Sequence, residues 1–219
     1  MDIDLAALPA NEIYHLMTQT VIPRPIAWIL TMNQAGKVDP GSVESDISGS
    51  GSYNLAPFSF FNALASAPPT LMVSIGKKPD GHLKDTRANL TTGQSCVVHI
   101  AGSRQASLVS ESSRTLDYGD SEVEATGMTL VTFEGFPLPR LAECQIAMGC
   151  EVAEVIELGP VPQAILLLTM KRLFISDAAV ATDAKGRMKV LAQVIDPLAR
   201  LGANEYAGLG DIIKLDRPQ

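Results

Sequence analysis

Three side chains that suit a phosphate dianion lie close together in this sequence: Ser74, Lys84 and Thr86. Ser74 ends an apolar run that predicts a strand, and Lys84 precedes a helix predicted over residues 86–90, which Asp85 can cap. The start of a helix offers unpaired N–H groups, Lys84 adds a full positive charge, and the hydroxyls add donors. An ordinary capped helix with a solvated lysine accounts for the same residues, so the pattern indicates an anion site without requiring one.

A flat apolar surface precedes this region, in the stretch from Asn54 to Phe60. Alternation along a strand puts every second residue, beginning with Asn54, on one face. Ala56 is small enough to let a ring approach the backbone, and Pro57, which has no N–H, belongs at the edge of a sheet. An exposed backbone there can hydrogen-bond the polar edge of an isoalloxazine, so the two regions together indicate a site for flavin mononucleotide (FMN). A core strand with an edge proline is the alternative.

Arg24 is the third feature, because Pro23 and Pro25 on either side of it make its backbone unusually rigid. A guanidinium held in this way can meet a pyrimidine carbonyl or a phosphate. On the strand that follows, parity predicts that Trp28 lies in the core and that Thr31 faces the other way.

The elements that must position these residues are mostly strands. Strands are predicted at residues 26–31, 55–61, 70–75, 95–100, 143–158, 163–176 and 212–215. Short helices are predicted at residues 11–17, 61–67, 86–90 and 103–112. Since turns rather than long helices join most strands, the pattern disfavours a doubly wound fold. It favours a mainly β chain that forms an antiparallel barrel with peripheral helices.

Composition excludes several classes of partner. The 219-residue chain has a net charge of −7 and no run of Lys or Arg longer than two, so nucleic acid is not an expected partner. No apolar run can span a bilayer and no secretory signal is recognisable, so we expect no membrane association and a cytoplasmic location. Three cysteines suit a reducing compartment, and no His and Cys spacing indicates a metal site. Glu122 is expected to be a solvated acid.

Several blocks, taken in order, resemble the flavin reductase-like, FMN-binding split-barrel family. They are PRPIAW at 23–28, NLAPFSFFN at 54–62, PP at 68–69 with SIG at 74–76, PDG at 79–81 with KDTRAN at 84–89, and DPLARLG at 196–202 followed by Tyr206. Each block is weak alone, but together they cover nearly the whole chain. The resemblance implies a six-stranded antiparallel split β-barrel that forms a homodimer, with FMN near the subunit interface. It also implies a flavin reductase that uses NADH or NADPH and supplies reduced flavin to a partner oxygenase.

The resemblance also implies which residues meet the cofactor. Positions for the isoalloxazine and the ribityl chain are Asn54, Ala56 and Ser59, and positions for the phosphate are Ser74, Lys84 and Thr86. Arg24 and Thr31 are expected near the flavin, whereas Arg200 and Tyr206 belong to the tail motif. With their neighbours in the motifs, the expected cofactor-binding residues are Arg24, Thr31, Asn54, Leu55, Ala56, Ser59, Ser74, Ile75, Gly76, Lys84, Asp85, Thr86, Arg200 and Tyr206. No catalytic side chain is identified.

The chain departs from the family pattern in a Gly/Ser-rich run from Gly41 to Ser52, which predicts a flexible insertion able to reshape the substrate side of the flavin. We expect one domain, residues 1–219, with a barrel core at about 20–176, an extension at 177–219 and the insertion at 40–52. Two alternatives to the reductase remain. One is a non-catalytic FMN-binding or sensing protein. The other is a barrel for another ligand, such as haem or pyridoxal phosphate, and the phosphate residues favour the second of these.

Overall fold

The computed structural model describes residues 1–33, 52–117, 120–159, 163–215 and 218. The predicted insertion lies outside the described residues apart from Ser52. The helices are α1 Ala10–Thr20, α2 Asp85–Asn89, α3 Ala106–Glu111, α4 Glu122–Thr126 and α5 Ala192–Ile195. Short 3-10 turns occupy Leu5–Ala7, Ser103–Gln105 and Asp177–Ala179.

One seven-stranded antiparallel sheet dominates the described chain, in the spatial order β3-β2-β6-β9-β10-β5-β4. Its strands are β2 Ala27–Met32, β3 Tyr53–Phe58, β4 Phe61–Ser66, β5 Pro69–Ile75, β6 Ser95–Ile100, β9 Ile146–Leu158 and β10 Gln163–Ile175. Smaller ladders contain β1 Arg24–Pro25, β7 Leu130–Val131, β8 Arg140–Leu141, β11 Val180–Thr182, β12 Met188–Val190, β13 Ala199–Arg200 and β14 Tyr206–Ala207. The prediction of a mainly β, antiparallel chain with peripheral helices is confirmed.

Both faces of β2 are buried, which places it at the centre of the molecule. Ala27 and Ile29 belong to an inner core enclosed by the curved sheet, whereas Trp28 and Leu30 belong to an outer core under the helices. The Trp28 indole N–H donates to Ser112 Oγ at 2.8 Å, so the one polar atom of this buried ring is satisfied. The predicted parity of Trp28 is therefore confirmed.

The two ends of the sheet meet at a seam. The chain leaves β3 through Ser59 and Phe60, and the Ser74 N–H of β5 donates to the Phe60 carbonyl at 2.8 Å. β3 is an edge strand of the sheet, and among the described residues no strand pairs with its outer side. The seam leaves the backbone of β3 available to other partners.

Two predicted elements were wrong. The helix predicted at residues 61–67 is replaced by the strand β4, Phe61–Ser66, which is why the main sheet has seven strands. Ala and Leu favour a helix locally, but the ladder between β4 and β5 satisfies the backbone and overrides that preference. Residues 212–215 form no strand, and Ile213 and Leu215 are exposed. An apolar run becomes a strand only where a neighbouring strand can pair with it.

His99 on β6 is buried and bonded through both ring nitrogens. Its Nδ1 lies 3.1 Å from the Trp28 carbonyl, and the Leu141 N–H donates to its Nε2 at 3.0 Å. The carbonyl requires a proton on Nδ1 and the N–H requires a lone pair on Nε2, so the ring is neutral. Burial lowers the pKa of His99 from 6.5 to about 4, so the ring stays neutral at pH 7.

We expect this histidine to make the fold acid-sensitive. As the pH falls from 6.5 towards 4, His99 becomes protonated in the unfolded chain but stays neutral in the folded one. The free energy of unfolding therefore falls, by about 3 kcal/mol in all. Urea unfolding at pH 7 and pH 4.5 measures this loss of stability, and His99→Gln is the variant that has no titrating group at this position. The exposed His82 supplies the control, His82→Gln, which should keep the parent's loss. Equal losses in the parent and His99→Gln would contradict the assignment.

Candidate functional site

Three adjoining cavities form one groove along the outer edge of β3, and Pro57 and Phe58 line all three. The tail lobe, about 480 Å³, includes Tyr14, Arg24, Ser59, Arg200 and Tyr206. The lysine lobe, about 540 Å³, includes Ser74, Gly76, Lys77, Lys78 and Lys84. The helix lobe, about 300 Å³, includes Asn54, Ala56, Thr86, Ser113 and Glu122, and it shares Lys77, Lys78 and Lys84 with the lysine lobe. The groove therefore runs beside the seam, and the residues that line it come from regions far apart in sequence.

The backbone of β3 faces the groove every second residue. The Tyr53 carbonyl accepts from Ser121 Oγ at 2.7 Å, and the Leu55 N–H donates to Glu122 Oε2 at 2.9 Å. Pro57 has the same parity, and its missing N–H leaves no unpaired donor at the edge. The predicted edge position of Pro57 is thus confirmed. By the same two-residue period, the Leu55 and Pro57 carbonyls point outward along the groove.

Glu122 is the acid that the sequence misassigned. It is 5% exposed rather than solvated, because α4 packs on β3 and buries Val123 beside it. Burial raises the pKa of Glu122, although the Leu55 N–H opposes this shift; Asp85 and Asp120 add to it. The result is a carboxyl group in the wall of the helix lobe that protonates more readily than an exposed glutamate.

A buried polar network holds α2 against the sheet. Asn54 Nδ2 donates to Thr31 Oγ1 at 3.3 Å and to Thr86 Oγ1 at 2.8 Å. Asn89 Nδ2, at the other end of α2, donates to Thr31 Oγ1 at 3.0 Å. All four side chains are nearly inaccessible, so each hydrogen bond is costly to lose. The network fixes the residue just before the helix, Lys84, between the lysine and helix lobes.

The lysine lobe is cationic. Lys77, Lys78 and Lys84 line it, and no Asp or Glu does so among the described residues. Lys78 pairs with Asp85 at 2.8 Å, whereas Lys77 and Lys84 form no ion pair within the described part of the chain. The Lys84 ammonium lies 5.6 Å from the centre of the Phe58 ring, and partial burial lowers the pKa of Lys84. Two unpaired ammonium groups next to an open cavity favour an anion.

The prediction that Asp85 caps α2 was wrong. The cap residue is Lys84, with no side-chain hydrogen bond to the helix, and Asp85 lies in the first turn. Lys78 explains the difference, because an ammonium group at 2.8 Å offers the carboxylate a stronger partner than a backbone N–H. The carboxylate of Asp85 is thereby neutralised beside the helix lobe. With five residues, α2 adds little dipole of its own, so the charge of the lobe comes from its lysines.

Arg24 ties the floor of the tail lobe together. Its Nε donates to Ser59 Oγ at 3.3 Å, and its Nη2 donates to the Leu201 carbonyl at 2.7 Å. Its Nη1 donates to the Val21 carbonyl at 2.9 Å and to the Thr18 carbonyl. Every nitrogen of this buried guanidinium is engaged by the protein, so Arg24 joins the end of α1, the tail and the β3 exit.

Arg200 lies opposite Arg24 in the ladder between β1 and β13. Its Nη2 donates to the Ala203 carbonyl, and its guanidinium carbon lies 4.5 Å from the centre of the Tyr206 ring. Gly202, in the turn between β13 and β14, approaches α1 so closely that a Cβ atom there would lie 2.5 Å from the Gln19 side chain. The tail hairpin is thus packed against α1 and closes one side of the groove.

The structure brings most of the predicted site residues to the groove. Those that line it are Arg24, Asn54, Ala56, Ser59, Ser74, Gly76, Lys84, Asp85, Thr86, Arg200 and Tyr206. The side chains of Thr31, Leu55 and Ile75 are buried beneath it. Ser74 lies in the lysine lobe and Thr86 in the helix lobe, so Lys84 is the member of the predicted phosphate set that both lobes share.

Sequence reasoning missed other residues of the groove. Lys77 and Lys78 follow the SIG block directly, and two lysines between Gly76 and Pro79 were the available signal. Tyr14 comes from α1 and Ser113 from the end of α3, and nothing in their local sequence points to β3.

The described ranges contain neither a candidate metal cluster nor a membrane-spanning helix. No group of three or more His, Cys, Asp or Glu side chains in these ranges could hold a metal ion. Within the same ranges, no helix is long and apolar enough to cross a membrane.

Comparison with known proteins agrees with this geometry. The model of the flavin reductase like domain matches residues 18–178. An uncharacterised protein of Halalkalibacterium halodurans is 35% identical over 221 residues, covering 100% of this chain and 97% of that protein. Nitrilotriacetate monooxygenase component B from Bacillus cereus superposes with a TM-score of 0.81 at 27% identity, covering 98% of each chain. The 2-nitrobenzoate 2-nitroreductase NbaA from Pseudomonas fluorescens gives 0.81 at 23% identity, covering 100% of this chain and 96% of that one, and shows the shared fold.

The family match spans most of the chain and confirms the resemblance carried by the sequence blocks. The fold is the split barrel of flavin reductases. The family and the similar structures support a flavin cofactor and flavin-related oxidoreductase chemistry. The chain belongs to the flavin reductase-like domain family.

Proposed function

We propose that the chain is an FMN-dependent oxidoreductase, a flavin reductase that oxidises NADH or NADPH and supplies reduced flavin to a partner oxygenase. The groove along β3 carries this proposal, because it joins a cationic lobe to an exposed strand edge beside flat apolar side chains. A phosphorylated planar cofactor needs all of these features within one cavity.

The lysine lobe is the proposed phosphate site. Lys77 and Lys84 offer two ammonium groups without carboxylate partners among the described residues, and Ser74 adds a hydroxyl. Ser74 Oγ accepts from Gln163 Nε2 at 2.8 Å, so its own O–H is directed elsewhere and can donate to a phosphate oxygen. This set favours a phosphorylated ligand, and it supports FMN over riboflavin or haem.

The edge of β3 is the proposed site of the isoalloxazine. The small side chain of Ala56 leaves room for a ring next to the strand, and Phe58 supplies an apolar wall. The outward carbonyls of Leu55 and Pro57 can accept hydrogen bonds from the polar edge of the ring. Tyr14, whose ring centre lies 6.3 Å from that of Phe60, covers the neighbouring wall and limits water. When bound, FMN supplies a ring that accepts a hydride, and the protein binds, orients and shields it.

A homodimer and an oxygenase partner form part of the proposal. β4 is the other edge of the sheet, and five of its six residues are exposed, including Leu64 at 55%. Open edge strands are normally covered or blocked, so a second copy of the chain is a suitable partner for this one. An oxygenase partner is supported by the likeness to a monooxygenase component.

Anaerobic reduction tests the proposal. FMN-loaded protein mixed with NADH or NADPH should lose its visible flavin absorbance faster than free FMN does, and the faster donor identifies the preference. Ser113→Trp, at the exposed junction of the tail and helix lobes, should fill the groove and abolish this acceleration. Ser110→Trp, equally exposed on α3 but outside the groove, is the matched control.

Two results would contradict the proposal. If FMN binds and stays oxidised with both donors, the chain is a flavin-binding or sensing protein. If no FMN binds, the groove serves a different ligand.

A further inference from the structure

The tail lobe carries charge of one sign. The side chains of Arg24 and Arg200 line it, and none of the described Asp or Glu residues does. Burial lowers the pKa of Arg24, Tyr14 opposes this shift, and the nearby Arg200 adds to it. In a chain with a net charge of −7, two adjacent guanidinium groups without a carboxylate form a local reversal of charge that attracts anions.

Only one of these two guanidinium groups is free to receive a ligand. Arg24 has all three nitrogens engaged by carbonyls and by Ser59. Arg200 makes one hydrogen bond, to the Ala203 carbonyl, and no ion pair within the described ranges. A guanidinium group has five N–H donors, and the Tyr206 ring fixes the orientation of this one. The remaining donors suit the two oxygens of a carboxylate.

The walls of the tail lobe suit a planar ring. Tyr14, Phe58 and Tyr206 contribute aromatic surface, and the lobe has a volume of about 480 Å³. Pro57, Phe58 and Ser59 line both this lobe and the lysine lobe, so a ligand here lies beside the strand edge proposed for the flavin. Arg200 lines the tail lobe and not the lysine lobe, and none of the three lysines lines the tail lobe.

We propose that the tail lobe is a binding subsite for a planar aromatic carboxylate, with Arg200 pairing with the carboxylate and the ring lying beside the flavin. This inference rests on the proposed function, because the flavin forms one wall of the subsite. It gives the groove two anion sites with separate tasks: the lysine lobe for the cofactor phosphate and Arg200 for the second ligand.

Benzoate and benzamide test the proposal, because they have the same shape and differ in charge. Each is titrated into FMN-loaded protein, and dissociation constants are read from the flavin spectrum and from saturation-transfer NMR of the ligand. Benzoate should bind at least tenfold more tightly than benzamide. Arg200→Gln, whose amide can still donate to the Ala203 carbonyl, should remove this difference, and Arg200→Lys should keep part of it. Arg187→Gln, an exposed arginine outside the groove, should match the parent.

The readouts separate this proposal from the function that it rests on. FMN affinity and the unfolding midpoint are measured for each variant, so that a change in benzoate affinity is separated from a loss of flavin or of the fold. Equal affinity for benzoate and benzamide in the parent would overturn the proposal, as would charge selectivity that survives in Arg200→Gln. If benzoate does not bind and Arg200→Gln raises the KM for NADH or NADPH instead, Arg200 serves the donor's phosphates and the proposal is wrong. If FMN fails to bind, the proposed function fails, and benzoate titration of the protein without FMN still tests Arg200.

Discussion

Arg24→Met is expected to destabilise the fold by about 3 kcal/mol or more, because one buried and two partly buried carbonyls lose their donor together. The carbonyls of Thr18, Val21 and Leu201 each accept from this guanidinium, and Arg24 as a whole residue is 6% exposed. Methionine keeps the apolar stem but offers no donor, and each buried acceptor left unsatisfied costs about 1–3 kcal/mol. Urea unfolding measures the change in the free energy of unfolding.

The exposed Arg187 provides the matched control, because it pairs with Asp183 on the surface at 2.8 Å. Arg187→Met should change stability by less than about 1 kcal/mol. A similarly small loss in Arg24→Met would mean that α1 and the tail hairpin stay in place without Arg24. In that case contacts other than those of Arg24 would hold the walls of the tail lobe in place.

The double variant Lys77→Ala/Lys84→Ala is expected to weaken FMN binding at least hundredfold. Each charge-assisted contact to a phosphate is worth about 1.5–3 kcal/mol, and 1.4 kcal/mol is a factor of ten in affinity. Neither ammonium has an ion-pair partner among the described residues, so removing it leaves no carboxylate uncompensated. Equilibrium titration followed by flavin fluorescence measures the dissociation constant.

Riboflavin, which lacks the phosphate, shows whether the lysines act through charge. Its affinity should be nearly the same for the parent and for the double variant. Lys189→Ala, on β12 and outside the groove, should leave both flavins unaffected. If the double variant loses FMN and riboflavin equally, the lysines shape the groove and do not bind phosphate.

Much of the fold could be predicted because its signals are local. Alternation predicted that Trp28 lies in the core, and the missing N–H of Pro57 predicted a sheet edge; both signals lie within single strands. Residues 61–67 could not be assigned in this way, since their helical preference is overridden by a partner strand that local sequence does not reveal. The apolar run at 212–215 is the converse case, in which a strand-like run has no partner.

The candidate site was only partly predictable, because its walls come from distant parts of the chain. The motifs supplied Ala56, Ser74 and Lys84, which lie on the seam or next to it. Tyr14 joins them only because α1 docks on the β3 exit through Arg24. The burial of Glu122 could not be predicted either, because no feature of α4 itself indicates it. This carboxylate is buried because it accepts from the Leu55 N–H at the unpaired edge of β3.

The central claim is that FMN lies in the groove along β3, and amide chemical-shift mapping tests it most directly. Adding FMN to isotope-labelled protein should shift the amides of Ala56, Ser59, Lys77, Lys84 and Ser113, which surround the groove. A separate cavity of about 400 Å³ near Gly102, Gln145 and Asp196 gives an internal control and should stay unchanged. Shifts centred on that second cavity, or no shifts at saturating FMN, would contradict the account.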